Sequence, residues 1–156
     1  MKVDDNRNPM LRGSSYHTID PKGRVIIPAR FRDALKNGAN GVVISQMDEC
    51  LVAYANEEWE KIEAKILSLA EKSENMRRFR RVFVGGAFHC AWDKQDRILI
   101  PPTLRQYASL EKEIVMVGVL DHFEIWSKEN WEKENLHLAE DLKKEEVRNE
   151  IAKLGL

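Results

Sequence analysis

Short apolar runs separated by polar connections fill most of the first 130 residues, a pattern typical of β-strands joined by tight turns. Residues 14–19 and 25–27 predict two strands on either side of Asp20-Pro-Lys-Gly, where Pro and Gly behind an acidic residue favour a turn. A short helix is expected over residues 29–35, and it should stop near Asn37-Gly38.

Two further apolar runs, residues 41–45 and 50–54, predict a second hairpin. Asn56 then stands where a helix N-cap is expected. Behind it, a one-sided apolar stripe recurs at helical spacing, formed by Trp59, Ile62, Ile66 and Leu69. Such a stripe more often packs on a core than forms an interface with another chain.

The second half of the chain predicts the same elements in the same order. They are strands over 82–92 and 97–100, a short helix opened by Pro101-Pro102, a hairpin over 114–119 and 123–126, and a helix capped by Ser127. After Trp131 the polar and apolar residues predict a single long, charged helix.

The two halves also repeat one another residue by residue. Six residues recur 73 positions later, namely Gly13, Asp20, Arg24, Ile27, Pro28 and Arg32 as Gly86, Asp93, Arg97, Ile100, Pro101 and Arg105. A repeat of this kind sets the architecture, and a half of roughly 70 residues buries little surface by itself. We therefore expect a mixed α+β fold in which two halves form one interleaved β-barrel around a pseudo-twofold axis, with helices outside.

This pattern divides the chain into four segments. Residues 1–10 are polar and predict a flexible extension, residues 11–72 and 73–132 form the two repeats, and residues 133–156 form the charged C-terminal helix. The first segment lacks the apolar stretch of a signal peptide, and no apolar run approaches the ~20 residues of a membrane span. Cys50 and Cys90 are far apart in apolar surroundings, so we expect buried reduced thiols in a cytosolic protein.

Charge is distributed unevenly, although the net charge is only −1. Residues 1–36 and residues 71–105 each carry eight Lys/Arg against four Asp/Glu, whereas residues 121–156 carry six against ten. Both segments that hold the repeated turn are therefore basic. The coincidence favours a basic surface that binds an anionic partner, although solvated charge is the alternative explanation.

The repeated turns supply the candidate chemistry. Arg24 and Arg97 each carry a planar fork of donors that suits phosphate oxygens and the O6/N7 edge of guanine. Asp20 and Asp93 can hold the turn by accepting backbone N–H bonds and can orient the Arg. Lys22 and Lys94, with Arg30, Arg32 and Arg105, add positive charge nearby. The alternative is a surface ion pair worth about 0–1 kcal/mol.

Other classes of function have less support. A paired-aspartate hydrolase would use Asp20 and Asp93, but both lie in polar turns, and neither is followed by the small hydroxyl residue and Gly of aspartic proteases. The four His residues share no metal-ligand spacing, so neither a metal nor a cofactor is expected. A structural homo-oligomer that does not bind DNA remains an alternative.

Three stretches resemble the MraZ family at the expected order and spacing: residues 11–32, residues 93–105, and Asp121-His-Phe-Glu-Ile-Trp. The resemblance covers residues 10–132. It implies a tandem duplication of the SpoVT/AbrB-type swapped-hairpin DNA-binding domain.

The resemblance also implies a function. A protein of this family is expected to be a cytoplasmic, nucleoid-associated transcriptional regulator, with repression favoured. It would act on its own promoter, which drives the division and cell-wall gene cluster, and would bind direct repeats in double-stranded DNA as a ring-shaped homo-oligomer. The family's DNA-contacting motif falls on Asp20, Arg24, Asp93 and Arg97, and Lys22 matches its basic turn residue. Asp96 replaces the usual Gly, so we expect the second turn to contact DNA less strongly.

Overall fold

A computed structural model of the chain describes residues 11–35, 40–69 and 73–156. In chain order its elements are β1 (Ser14–Thr18), β2 (Arg24–Ile26), α1 (Ala29–Leu35), β3 (Gly41–Met47), β4 (Cys50–Tyr54), α2 (Asn56–Ser68), α3 (Glu74–Gly85), β5 (Phe88–Ala91), β6 (Arg97–Leu99), α4 (Pro102–Tyr107), β7 (Glu113–Gly118), β8 (Phe123–Ser127), α5 (Lys128–Asp141) and α6 (Glu145–Ala152). The expected extension at residues 1–10 and the helix stop at Asn37-Gly38 lie outside the described residues.

The strands form one large and one small antiparallel sheet, and both combine the two halves of the chain. The large sheet has six strands in the order β1-β7-β8-β4-β3-β5, and the small sheet pairs β2 with β6. The first strand of each half therefore pairs with the other half, β1 with β7 and β5 with β3. This exchange explains how two halves that bury little surface alone share one core.

A pseudo-twofold axis relates the two halves. The strand order of the large sheet reads the same from either edge when β1, β3 and β4 are exchanged for β5, β7 and β8. The axis passes between β4 and β8, where Val52 pairs with Glu124, its counterpart 72 positions later. It also passes through the small sheet, where Val25 pairs with Ile98, its counterpart 73 positions later. The expected symmetry is thus present in the strand register.

The strands do not close into the interleaved β-barrel that the sequence predicted. In the large sheet β1 and β5 each have a single neighbour, so the sheet stays open at both edges. The cause is that the short strands β2 and β6 pair with each other and not with β1 or β5. Accordingly, residues 20–23 connect strands of different sheets and do not form the tip of a hairpin.

The two faces of the large sheet bury two separate apolar clusters. One face packs against the small sheet and α1 and α4, with Phe31 and Phe123 fully buried and their ring centroids 5.0 Å apart. Full burial of one such side chain stabilises the fold by about 1.5–3 kcal/mol. The opposite face packs against α2, α3 and α5, and Trp59 and Phe83 lie at its centre.

The helices on this second face differ from the expectation in three places. Residues 82–85 belong to α3 and not to a strand, since Ser73 caps this helix by accepting the N–H of Met76 at 3.0 Å. Asn56 is not the cap of α2, whose N-cap residue is Ala55. Ser127 caps α5, as predicted, because its Oγ accepts the backbone N–H of Asn130 at 3.0 Å. The chain after Trp131 forms two helices, α5 and α6, and not one.

A groove of about 720 Å³ runs between α5 and strands β7 and β8. Its lining includes the apolar residues Val117, Val119, Trp126, Trp131 and Leu138 and the acidic residues Glu124, Glu134, Glu140 and Asp141. None of the helices in the described ranges has the length and apolar character needed to cross a lipid bilayer.

Candidate nucleic-acid interface

The first turn is held together by a single carboxylate. Oδ1 of Asp20 accepts the backbone N–H groups of Lys22 and Arg24 at 2.9 and 2.8 Å, and Oδ2 accepts Nε–H of Arg24 at 2.7 Å. The backbone closes the same turn, since Asp20 N donates to the Arg24 carbonyl and Gly23 N donates to the Asp20 carbonyl, both at 2.9 Å. The position of the Arg24 guanidinium is thus fixed by its own turn.

The second turn repeats these bonds. Oδ1 of Asp93 accepts the backbone N–H groups of Gln95 and Arg97 at 2.8 and 3.0 Å, and Oδ2 accepts Nε–H of Arg97 at 2.7 Å. Asp93 N donates to the Arg97 carbonyl at 2.8 Å, as in the first turn. The two sequence repeats therefore fold into the same local structure, with Lys94 exposed on the second turn as Lys22 is on the first.

One position differs between the two turns, since Gly23 in the first turn corresponds to Asp96 in the second. Gly23 has a φ of +94°, and a Cβ atom there would lie 2.7 Å from the guanidinium carbon of Arg105. Its counterpart Asp96 adopts a φ of 62°, a left-handed conformation that Asp tolerates better than most residues. The Asp96 carboxylate lies 3.6 Å from Arg32 of the first half, whereas Arg97 is paired with Asp93.

The turns are joined through the small sheet. Ile27 N donates to the Asp96 carbonyl at 3.1 Å, and Ile100 N donates to the Gly23 carbonyl at 2.9 Å. Because β2 and β6 are antiparallel, the two turns lie at opposite ends of this sheet. They form one continuous face with the same pseudo-twofold symmetry as the fold.

The electrostatics of the turns favour ionised carboxylates and available Arg donors. Backbone N–H bonds from Arg24 lower the pKa of Asp20, with the Arg24 side chain adding to the effect, and bonds from Arg97 and Gln95 lower the pKa of Asp93 in the same way. The guanidinium groups of Arg24 and Arg97 bond to Asp20 and Asp93 through Nε–H, and a guanidinium carries four further N–H donors. The side chains of Arg24 and Arg97 are 32% and 25% exposed, so an anion can reach them.

The chain matches the family model described as "MraZ protein, putative antitoxin-like" twice, over residues 10–81 and over residues 83–150. The chain belongs to the MraZ family. It is 62% identical over 148 residues to the "Transcriptional regulator MraZ" of Desulforapulum autotrophicum, an alignment that covers 94% of this chain and all of that protein. The protein of the same name from Desulfosudis oleivorans is 56% identical over 149 residues, again with 94% and 100% coverage.

A third relative of the same name, from Thermoanaerobacter pseudethanolicus, is 45% identical over 147 residues and is covered completely. This chain therefore spans the full length of these MraZ relatives.

The geometry places the sequence-predicted residues in two clusters. It brings Asp20, Lys22 and Arg24 together in one turn, and Asp93, Lys94 and Arg97 in the other. Lys94 follows Asp93 directly, whereas Gln95 stands at the position equivalent to Lys22. The nearby residues Arg32 and Arg105 instead donate to the carbonyls of Ile27 and Ile100 of their own half. They are structural supports that hold the ends of β2 and β6.

Two residues of this face were missed by the sequence reasoning. Ile26 and Leu99 are large apolar side chains on the small sheet, and they are 54% and 55% exposed. The alternation of side chains along a strand could have identified them. Ile26 follows Val25 and Leu99 follows Ile98, and both Val25 and Ile98 point into the core.

The paired-aspartate alternative has no support in this geometry. Asp20 and Asp93 lie at opposite ends of the small sheet, each bound to its own Arg, and both have lowered pKa values. A shared proton would require two close carboxyl groups, one of which has a raised pKa. Within the described ranges, no group of three or more His, Cys, Asp or Glu side chains is placed to hold a metal ion.

A second polar cluster lies on the opposite side of the fold, around His122. Nδ1 of His122 is 2.8 Å from Asp121 and Nε2 is 3.1 Å from Glu124, while the ring stacks on Tyr54 with centroids 4.7 Å apart. Burial acts to lower the pKa of His122, but the bonds to both carboxylates outweigh it and raise the pKa. The nearby Cys50 is a free, buried thiol whose pKa is raised, chiefly by burial.

Proposed function

We propose that this MraZ-family chain is a sequence-specific DNA-binding regulator of transcription that acts through its two Asp–Arg turns. The observation that carries the proposal is the duplication of one turn, bond for bond, at both ends of a symmetric face. The alternative explanation, a surface ion pair without a binding role, gives no reason for the same arrangement to occur twice. The transcriptional regulators named MraZ among the relatives support the same function.

The chemistry of the turns suits double-stranded DNA. Lys22 and Lys94 neutralise phosphates, and the counterions that they release make the affinity depend on salt. Arg24 and Arg97 donate from their outer N–H groups to the O6/N7 edge of guanine. Because Asp20 and Asp93 fix these Arg side chains before binding, little conformational entropy is lost on contact. Asp96 adds negative charge to the second turn, with its carboxylate 3.6 Å from Arg32, so we expect this turn to contribute less.

We further infer that residues 11–72 and 73–132 are two SpoVT/AbrB-like repeats that exchange strands as swapped hairpins. The pairing of β1 with β7 and of β3 with β5 supports this assignment. Residues 1–10 would be a flexible extension and residues 133–156 a charged helical tail.

One copy offers too small a basic face for tight binding, so we infer a ring-shaped homo-oligomer that binds direct repeats with avidity. The acidic, apolar groove along α5 supports self-association, since α3 of a second copy carries four Arg within residues 77–81.

The expected target is the chain's own promoter, which drives the division and cell-wall genes. The protein would act in the cytoplasm, associated with the nucleoid, as a repressor.

Fluorescence anisotropy tests this function. Wild type is titrated with DNA from upstream of its own gene and with scrambled DNA, at two salt concentrations. The Arg24→Ala/Arg97→Ala variant should bind about a hundredfold more weakly or worse, since each good base contact contributes ~1–3 kcal/mol. Lys65→Ala/Arg148→Ala is the matched control, because it removes the same charge from exposed helix positions in α2 and α6, away from the turns and from the groove.

Equal binding by wild type and by the Arg24/Arg97 variant would show that the turns are not the interface. If wild type is folded and oligomeric but binds neither DNA, the structural homo-oligomer becomes the better interpretation. The single variant Arg97→Ala should lose as much affinity as Arg24→Ala or somewhat less, because Asp96 already weakens the second turn.

A further inference from the structure

The small sheet presents four side chains on its outer face in a symmetric arrangement. Its central residues, Val25 and Ile98, are paired and almost completely buried. The residues on either side alternate outward, so Arg24 stands opposite Leu99 and Ile26 stands opposite Arg97. Each Arg of the candidate interface therefore has a large apolar neighbour from the other half of the chain.

The exposure of this apolar pair is not explained by the fold. Ile26 and Leu99 are exposed to nearly the same extent, 54% and 55%, and they end the two strands that lie between the turns. Single exposed apolar residues are common on protein surfaces. Here, however, the pseudo-twofold axis relates two of them, and each is paired in register with an Arg that is fixed by an Asp.

A ligand that engages both turns must lie across this pair. The turns are at opposite ends of the small sheet, and residues paired in an antiparallel sheet have Cα atoms about 4.5–5.5 Å apart. A duplex whose base edges reach Arg24 and Arg97 therefore also reaches Leu99 and Ile26. A two-stranded antiparallel ribbon fits the major groove of B-DNA, where the apolar group on the base edges is the C5-methyl of thymine.

We propose that Ile26 and Leu99 determine specificity by contacting thymine methyl groups, each beside the base that the opposite Arg reads. This inference rests on the proposed function, because it requires that the two turns bind DNA. The Arg contacts and the methyl contacts alternate across the face. A preferred site should therefore combine guanine with neighbouring thymine in both halves.

The first test changes only the DNA. The preferred sequence is selected from a random duplex library with wild-type protein, and each thymine is then replaced by uracil, which lacks the methyl group. Anisotropy should show about fourfold weaker binding at one or more thymines in each half of the site, as expected for the loss of one buried methyl-sized contact. Replacement elsewhere in the duplex should leave the affinity unchanged.

The second test changes the protein. Ile26→Ala/Leu99→Ala should bind the thymine and uracil duplexes equally, while wild type distinguishes them. Leu67→Ala is the matched control, because Leu67 is an exposed aliphatic residue of α2, 69% exposed, on another part of the surface. Circular dichroism establishes that each variant is folded, and the uracil series on wild type gives an answer that needs no variant.

The possible failures can be told apart. If wild type selects a sequence that the Arg24→Ala/Arg97→Ala variant no longer binds, but every uracil duplex binds as tightly as its parent, the methyl inference is wrong and the proposed function stands. If wild type selects no sequence, both are wrong. If Ile26→Ala/Leu99→Ala changes the oligomeric state and not the discrimination, the pair is an interface between copies, which also overturns the inference.

Discussion

The two halves of this molecule are nearly identical at their turns and different on the far side of the large sheet. Over β3 and β4, α2 and α3 together cover the sheet, and both Trp59 and Phe83 are buried between them. Over β7 and β8 the covering helix is α5, and its Trp131 lines an open groove. Since both halves have the same backbone plan, the symmetry was retained where the turns lie and was lost where the helices pack.

The largest expected difference concerns the matched pair Trp59 and Trp131, which stand 72 positions apart at the start of α2 and α5. Trp59→Ala should lower the free energy of unfolding by about 3–5 kcal/mol, because it leaves a cavity beside Phe83. Trp131→Ala should cost about 1–2 kcal/mol, because the groove already exposes part of this ring. Urea denaturation followed by far-UV circular dichroism, at one protein concentration, measures both, and equal losses would contradict the comparison.

A smaller difference is expected where the turns themselves diverge. Gly23→Asp should destabilise the fold by about 1–3 kcal/mol, because it strains a φ of +94° and displaces the Arg105 side chain from the Ile100 carbonyl. Asp96→Gly should change stability by less than about 1 kcal/mol, because relief of the left-handed conformation offsets the loss of a partly exposed ion pair. Thermal unfolding of the Gly23→Asp and Asp96→Gly variants measures both effects. A larger loss of stability for Asp96→Gly than for Gly23→Asp would contradict this comparison.

The smallest difference is one of pH dependence. His122 and Glu124 have Cys50 and Val52 as their counterparts in the first half, so only the second half contains this ionic cluster. Although burial opposes it, Glu124 and Asp121 raise the pKa of His122 in the folded state. The associated stability is therefore fully present below pH ~6.5 and is lost as pH rises through the folded-state pKa.

The measurement is the free energy of unfolding of wild type and of His122→Gln between pH 6 and pH 8.5. The difference in the free energy of unfolding between wild type and His122→Gln should become smaller as pH rises. A difference that stays constant or widens would mean that folding does not raise the pKa of His122.

The turns were the part of the structure that sequence reasoning could predict best. Asp20-Pro-Lys-Gly is local chemistry, and its bonds to Arg24 span only four residues, so no distant contact is needed to specify them. The register of the repeat then assigned the second turn correctly. The role of these residues in DNA binding stays a prediction.

The pairing of the strands was beyond the sequence pattern, because alternation fixes which side chains face inward but not which strand is the neighbour. Residues 82–84 show a second limit, since a short apolar run fits a buried strand or the end of a helix equally well. Here the Ser73 cap and the stacking of Phe79 on Phe83, with centroids 5.0 Å apart, favour the helix. Ile26 and Leu99 were missed because a three-residue strand is too short to show a clear period.

The exchange of strands between the halves has a consequence for synthesis on the ribosome. In the large sheet β1 pairs only with β7, about a hundred residues later in the chain, so the N-terminal strand emerges long before its partner. Until residues 113–118 leave the exit tunnel, the nascent chain exposes an unpaired strand edge. Contacts so distant in sequence form slowly. We therefore expect the polypeptide to need protection by chaperones during translation, and a chain truncated before β7 to aggregate instead of folding as a half-sized protein.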